Sequence, residues 1–149
     1  MPYCMRQQGR AEQEALGAFL TAAEQANRPD LADDVPAAKK FYDAALGALG
    51  ISEGAFDEWG RVVYATDTGR FLITKPINGE PASYANGGTI GFKCNSPEQV
   101  RAFHDTAIAH GGKSIEEPPG LRDGSLGPLY LAYVRDPDGN KLCAIYRVK

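Results

Sequence analysis

Apolar residues along the chain change their spacing several times, and each change marks an element. From 10 to 27, Leu16, Phe19, Leu20 and Ala23 recur at three- and four-residue intervals, the period of one helix face. Glu12, Glu14, Glu24 and Gln25 fill polar positions, and Pro29 stops the run. A second stripe, Ala38, Phe41, Ala45 and Leu49, predicts a helix over about 36 to 49. Asp34 stands as its N-cap, Pro36 in its first turn and Gly50 at a glycine C-cap. Val62-Val63-Tyr64 and Phe71-Leu72-Ile73 then carry the β-branched and aromatic bias of strands. Three strands are expected, near 51–56, 61–66 and 70–75, with a turn at Thr68-Gly69.

A linker from 76 to 88, rich in proline and glycine, separates this part from a second. Thr89 to Cys94 reads as a strand. Ser96-Pro97-Glu98-Gln99 opens a helix with a capping box and a proline at its first position. Val100, Phe103 and Ala107 face its core, and Gly111-Gly112 end it. A strand near 113–117 is followed by a Pro/Gly-rich stretch, 118–128, expected to be a flap or entry loop. Leu129–Arg135 and Lys141–Arg147 flank Asp136-Pro137-Asp138-Gly139-Asn140, a tight reversal between two strands.

The two parts are copies of one unit. Phe41-Tyr42-Asp43-Ala44-Ala45-Leu46, ending at Gly50, recurs as Phe103-His104-Asp105-Thr106-Ala107-Ile108, ending at Gly112, at one constant offset. Carried back by that offset, the second copy's leading strand lands on 27–32, Asn-Arg-Pro-Asp-Leu-Ala, which has no strand pattern. The expected fold is therefore α+β. Two βαβββ modules form cupped, mixed half-sheets, and an extra N-terminal helix replaces or covers the missing first strand. Residues 1–33 form the helical extension; 34–149 form the domain, with modules at about 34–76 and 88–148.

Composition narrows the partners. A net charge of −3 argues against nucleic acid, which needs a basic face. No apolar run reaches membrane-spanning length and no secretory signal is legible, so no membrane partner is expected. Three cysteines without CxxC spacing read as reduced thiols of a cytoplasmic protein.

Four passages resemble the vicinal oxygen chelate superfamily, the glyoxalase, bleomycin-resistance and extradiol-dioxygenase proteins. They are Phe41 to Leu46, Thr89 to Phe92, the helix from Val100 to Gly112, and Tyr133 to Lys141 with its Asp-Pro-Asp-Gly-Asn turn. The resemblance spans roughly 34–148 and implies paired modules, a homodimer and a metal ion in the cup. That metal would act as a Lewis acid on vicinal oxygens of the substrate. The ligand positions it implies fall on Leu72, Thr89 and Cys143, with no counterpart for the first-strand ligand. None is a usual donor in the family, so no metal or other cofactor and no catalytic residue are assigned.

Other candidates are weak. Cys143 has a thiolate's capacity for zinc, but a site needs three or four converging ligands. His104 and His110 do not share a helix face and read as structural, His110 by bonding terminal carbonyls. Cys94 alternates with Ile90 and Phe92 as core, and Cys4 sits near the terminus. Adjacent Glu116 and Glu117 point to opposite faces as solvated edge charges.

Period-two alternation from the inherited positions nominates Leu72 and Thr74; Thr89, Gly91 and Lys93; and Lys141, Cys143 and Ile145, with Tyr130 or Tyr133 from the facing strand. Such a mixed lining suits binding a small organic ligand. The leading expectation is a small-molecule-binding protein that has lost the metal chemistry. The alternatives are a lyase of the lactoylglutathione type with atypical ligands, and a purely structural dimer.

Overall fold

A computed structural model describes residues 34–80 and 83–149. The expected helix at 10–27, and with it the extension over 1–33, lies outside the described residues.

Helix α1 spans Asp34–Gly47 and buries Ala38, Phe41, Tyr42, Ala45 and Leu46. Its end is a Schellman cap: Ile51 N–H donates to the Leu46 carbonyl at 3.1 Å and Gly50 N–H to Gly47 at 3.0 Å. Gly50 takes φ +77°, a left-handed conformation that costs glycine little. Helix α2, Pro97–Ala109, ends the same way, Gly112 N–H donating to Ala107 at 2.8 Å. Here the left-handed residue is Gly111, at φ +94°. The structural equivalent of Gly50 is thus Gly111 and not Gly112, because α1 runs one residue further before its cap. At the start of α2, Ser96 Oγ accepts the Gln99 N–H at 3.1 Å. Gln99 Oε1 reaches back to the Asn95 N–H at 2.7 Å, one residue earlier than in a strict capping box.

Strands β1 (Ala55–Phe56), β2 (Val62–Thr66) and β3 (Gly69–Ile73) form an antiparallel sheet in that order. The turn between β2 and β3 is Asp67-Thr68, and Gly69 already belongs to β3. A second sheet holds β4 (Ile90–Lys93), β5 (Lys113–Gly124), β6 (Gly127–Arg135) and β7 (Lys141–Arg147) in the order β4-β7-β6-β5. Only β4 to β7 is parallel, which makes this sheet mixed. The meander β5-β6-β7 repeats β1-β2-β3. Among the described residues, nothing occupies the place on β3 that β4 takes on β7.

Residues 118–128 are not a flap. Strand β5 continues to Gly124 and pairs with β6 as far as Gly127. Its register breaks between Ile115 and Gly120, so Glu116 to Pro119 bulge from the ladder. Pro118 and Pro119 lack N–H donors, and the bulge puts them where no ladder bond is required.

The modules share one core. Aromatic rings run from Tyr42 to Phe71 (4.9 Å between centroids), Phe71 to Phe92 (5.8 Å) and Phe92 to Phe103 (5.9 Å), linking α1, β3, β4 and α2. Offset and edge-on ring pairs of this kind add to the burial of their area.

Candidate functional site

Alternation divides the second sheet into two faces. Ile90, Phe92, Ala132, Val134, Leu142 and Ala144 are buried on the side that α2 covers with Val100, Phe103 and Ala107. Tyr130, paired with Tyr146, belongs to this helix side and accepts a hydrogen bond from Arg101 of α2 at 2.6 Å. Of the two tyrosines nominated, Tyr133 alone is on the other face.

Opposite the helix, residues paired across the ladder stand side by side in rows. One row is Gly91, Cys143, Tyr133 and Ile115; the next is Lys93, Ile145, Leu131 and Gly120. Lys141, beside Arg135, precedes the first row. Thr89 immediately precedes β4 and continues its alternation toward Lys141. The structure therefore gathers Gly91, Lys93, Tyr133, Lys141, Cys143 and Ile145 on one face, with Thr89 at its edge. Leu72 belongs to the other sheet, opposite Val63 and away from α1, and Thr74 follows just past the end of β3.

Cys143 sits under its neighbours, only 2% exposed. The Cys143 thiol donates to the Ala144 carbonyl at 3.7 Å, and Tyr133 is its neighbour across the ladder. Burial, outweighing the influence of the Tyr133 hydroxyl, pushes the Cys143 thiol up to about 12. Burial, Cys143 and Glu116 together push the Tyr133 phenol up to about 12 as well. The Lys141 ammonium lies 4.7 Å from the Tyr133 ring centre and donates to Glu116 Oε1 at 2.7 Å.

Glu116 is an exposed charge on the edge strand β5, as expected, and it also pairs with Lys141 and holds φ +58° within the bulge. Left-handed backbone is unusual for glutamate and marks a position worth explaining. The signal available beforehand was Pro118-Pro119, which disfavours an uninterrupted strand.

The histidines behave structurally. His110 Nδ1 meets the Thr106 carbonyl at 2.8 Å, and His104 bridges Ser114 Oγ (2.9 Å) and Asp105 (3.1 Å) beside the helix. Cys94 is buried core, its thiol raised by burial to about 11. Among the described residues no three His, Cys, Asp or Glu side chains converge as a metal site. Leu72 has no donor atom, Thr89 has a neutral hydroxyl, and Cys143 offers a single buried sulfur. One potential thiolate falls short of the three or four converging ligands that a divalent ion needs.

Two helix-on-sheet modules joined by a shared core, one with a β4-α2-β5-β6-β7 plan, define a paired-module α+β protein with a candidate site on the face away from the helices. Residues 31–144 match the glyoxalase/bleomycin resistance protein/dioxygenase superfamily, and the chain belongs to it. The crystal structure of a glyoxalase/bleomycin resistance protein from Albidiferax ferrireducens T118 is 57% identical, covering 76% of this chain and 90% of that one, with a TM-score of 0.73. More distant structures share the fold. A glyoxalase-related enzyme from Fulvimarina pelagi is 16% identical over 76% of this chain and 80% of its own, with a TM-score of 0.55. Protein ATC0852 from Agrobacterium tumefaciens is 19% identical over 77% and 89%, with a TM-score of 0.56. No curated protein gives a significant match.

Proposed function

We propose that this is a glyoxalase-like protein that binds a small organic molecule on the helix-distal face of its second sheet, without metal-dependent chemistry. The observation carrying this reading is the chemistry of the positions where the family resemblance implies metal ligands. Cys143 is a single buried thiol, and Leu72 and Thr89 supply no anionic donor. Around Cys143 the same face offers an aromatic ring, aliphatic side chains and an ion pair at Lys141 and Glu116. Apolar area with a few placed polar groups is the composition of a ligand site.

The test has two arms on the purified full chain. Elemental analysis should find nickel, zinc, iron and manganese far below one ion per chain, and lactoylglutathione lyase turnover should stay at background with added metal. A screen of small organic compounds by amide chemical shifts should give hits that move β4, β6 and β7. One tightly held ion per chain, or metal-dependent turnover, would overturn the metal-free reading in favour of the lyase. A screen whose hits all avoid those strands would overturn the site.

A further inference from the structure

Resting on that reading of the helix-distal face, we propose that its ligand is a small organic anion with a flat apolar body. The register places six cationic side chains on this one face: Lys93, Lys113, Arg122, Arg135, Lys141 and Arg147. Lys113 pairs with Arg135 and Arg135 with Lys141; Arg122 pairs with Leu129 and Leu129 with Arg147; Lys93 pairs with Ile145. Paired residues share a face, so these assignments follow from the ladder alone. The whole chain has a net charge of −3, so this concentration runs against its composition.

Among the described residues, the partners of Arg122, Arg135 and Arg147 orient them without cancelling their charge. Arg122 donates to the Pro118 carbonyl at 2.9 Å, Arg135 to Gly139 at 2.6 Å and Arg147 to Leu126 at 3.3 Å. Arg135 also lies 5.9 Å from the Tyr84 ring centre. Carbonyl oxygens and ring faces carry no net charge. Among the described residues, Lys141 is the cation of this set that a carboxylate meets, that of Glu116.

The charges are also spaced. One cationic row, Lys113-Arg135-Lys141, lies at one end of the strands, and Arg122 and Arg147 lie toward the other. Lys141 and Arg147 are six residues apart on β7, about 20 Å at strand rise. Between them the face presents Tyr133 and Ile145, half-buried, beside the buried Cys143 and Leu131. A flat ring system covers that strip, and its acid group meets a cationic end. A second copy docked two-fold on this face would oppose cation to cation, which disfavours that occupant.

Three naphthalenes of nearly one shape separate charge from shape: 1-naphthoate, 1-naphthamide and 1-naphthylmethylammonium. Each is titrated into the isotope-labelled full chain while backbone amide shifts are followed. The naphthoate should move amides of β4, β6 and β7 and bind about tenfold more tightly than the amide, with the ammonium weakest. Its affinity should fall as salt is raised to physiological strength. The doubly substituted Lys93→Gln, Arg122→Gln protein should lose affinity for the naphthoate and keep it for the amide, with other amide shifts unchanged. Equal binding of all three on those strands, insensitive to salt, overturns the anion and leaves the ligand site standing. Shifts confined to other elements, or none with any probe, overturn both. Concentration-dependent broadening on those strands without a probe would assign the face to a second copy and also overturn the proposal.

Discussion

The Tyr42 hydroxyl donates to Asp136 Oδ2 at 2.6 Å, tying α1 of the first module to the β6–β7 turn of the second across 94 residues of chain. Both side chains are buried. The other carboxylate oxygen accepts the Asp138 N–H at 3.0 Å and the Asn140 N–H at 2.8 Å, while Asn140 Nδ2 donates to Oδ2 at 2.8 Å. The Asp-Pro-Asp-Gly-Asn turn is therefore organised around a carboxylate that the first module helps to satisfy. Burial, the largest influence, raises the Asp136 carboxyl despite these bonds, and burial with Asp136 raises the Tyr42 phenol strongly. The copy of Tyr42 in α2 is His104, which meets Ser114 near the surface instead.

Tyr42→Phe should therefore destabilise the protein without altering its fold. A buried hydrogen bond to a carboxylate is removed and Asp136 is left short of a donor, at a cost of about 2 to 3 kcal/mol. Urea unfolding should show a lower midpoint at unchanged slope. A midpoint equal to that of the parent would mean that the turn holds Asp136 unaided.

Asp43 links α1 to the start of the first sheet, accepting from the Gly54 N–H and the Tyr64 hydroxyl, each at 2.9 Å, and pairing with Lys39. Burial alone would raise its carboxyl, but these bonds outweigh it and the net shift is downward. A carboxyl lowered in the folded state stabilises above its unfolded value, about 3.9, and loses that contribution as pH falls through the folded value. The stability gap between the parent and Asp43→Asn should be full near neutrality and close below about pH 4. A gap constant with pH would show that the carboxylate charge is irrelevant there.

Gly54→Ala should be strongly disfavoured. A Cβ at Gly54 would lie 2.4 Å from Val62 Cγ1 and 2.6 Å from Tyr64 Cζ, both in packed core. Overpacking of this kind costs about 1 to 3 kcal/mol. Thermal melting should show it, and Gly47→Ala, with open space around it, serves as the control that should not fall.

Native Cys94 and Cys143 should both react slowly with an aromatic disulfide reagent at pH 8, in a Cys4→Ser background. Both thiols are 2% exposed, and burial raises them to about 11 and about 12. In denaturant both should react at ordinary rates. Rapid native labelling of Cys143 alone would show that its burial opens readily.

Local order fixed what could be read along the chain. The duplicated helices, the capping serine, the glycine stops and the final hairpin depend on contacts a few residues apart, and their signals are correspondingly local. Alternation also named residues that do share a face, Gly91, Lys93, Tyr133, Lys141, Cys143 and Ile145, because a strand's period of two is independent of its neighbours. Register is different: it is a relationship between strands. Only the tertiary structure decided that Lys113 and Arg122 join that face, that Tyr130 turns to the helix, and that a bulge at Pro118-Pro119 sets Glu116 on Lys141. The burial of Cys143 and the reach of Tyr42 to Asp136 belong there too. Each depends on residues distant in sequence being brought together, and the Tyr42–Asp136 bond exists only once the two modules pack.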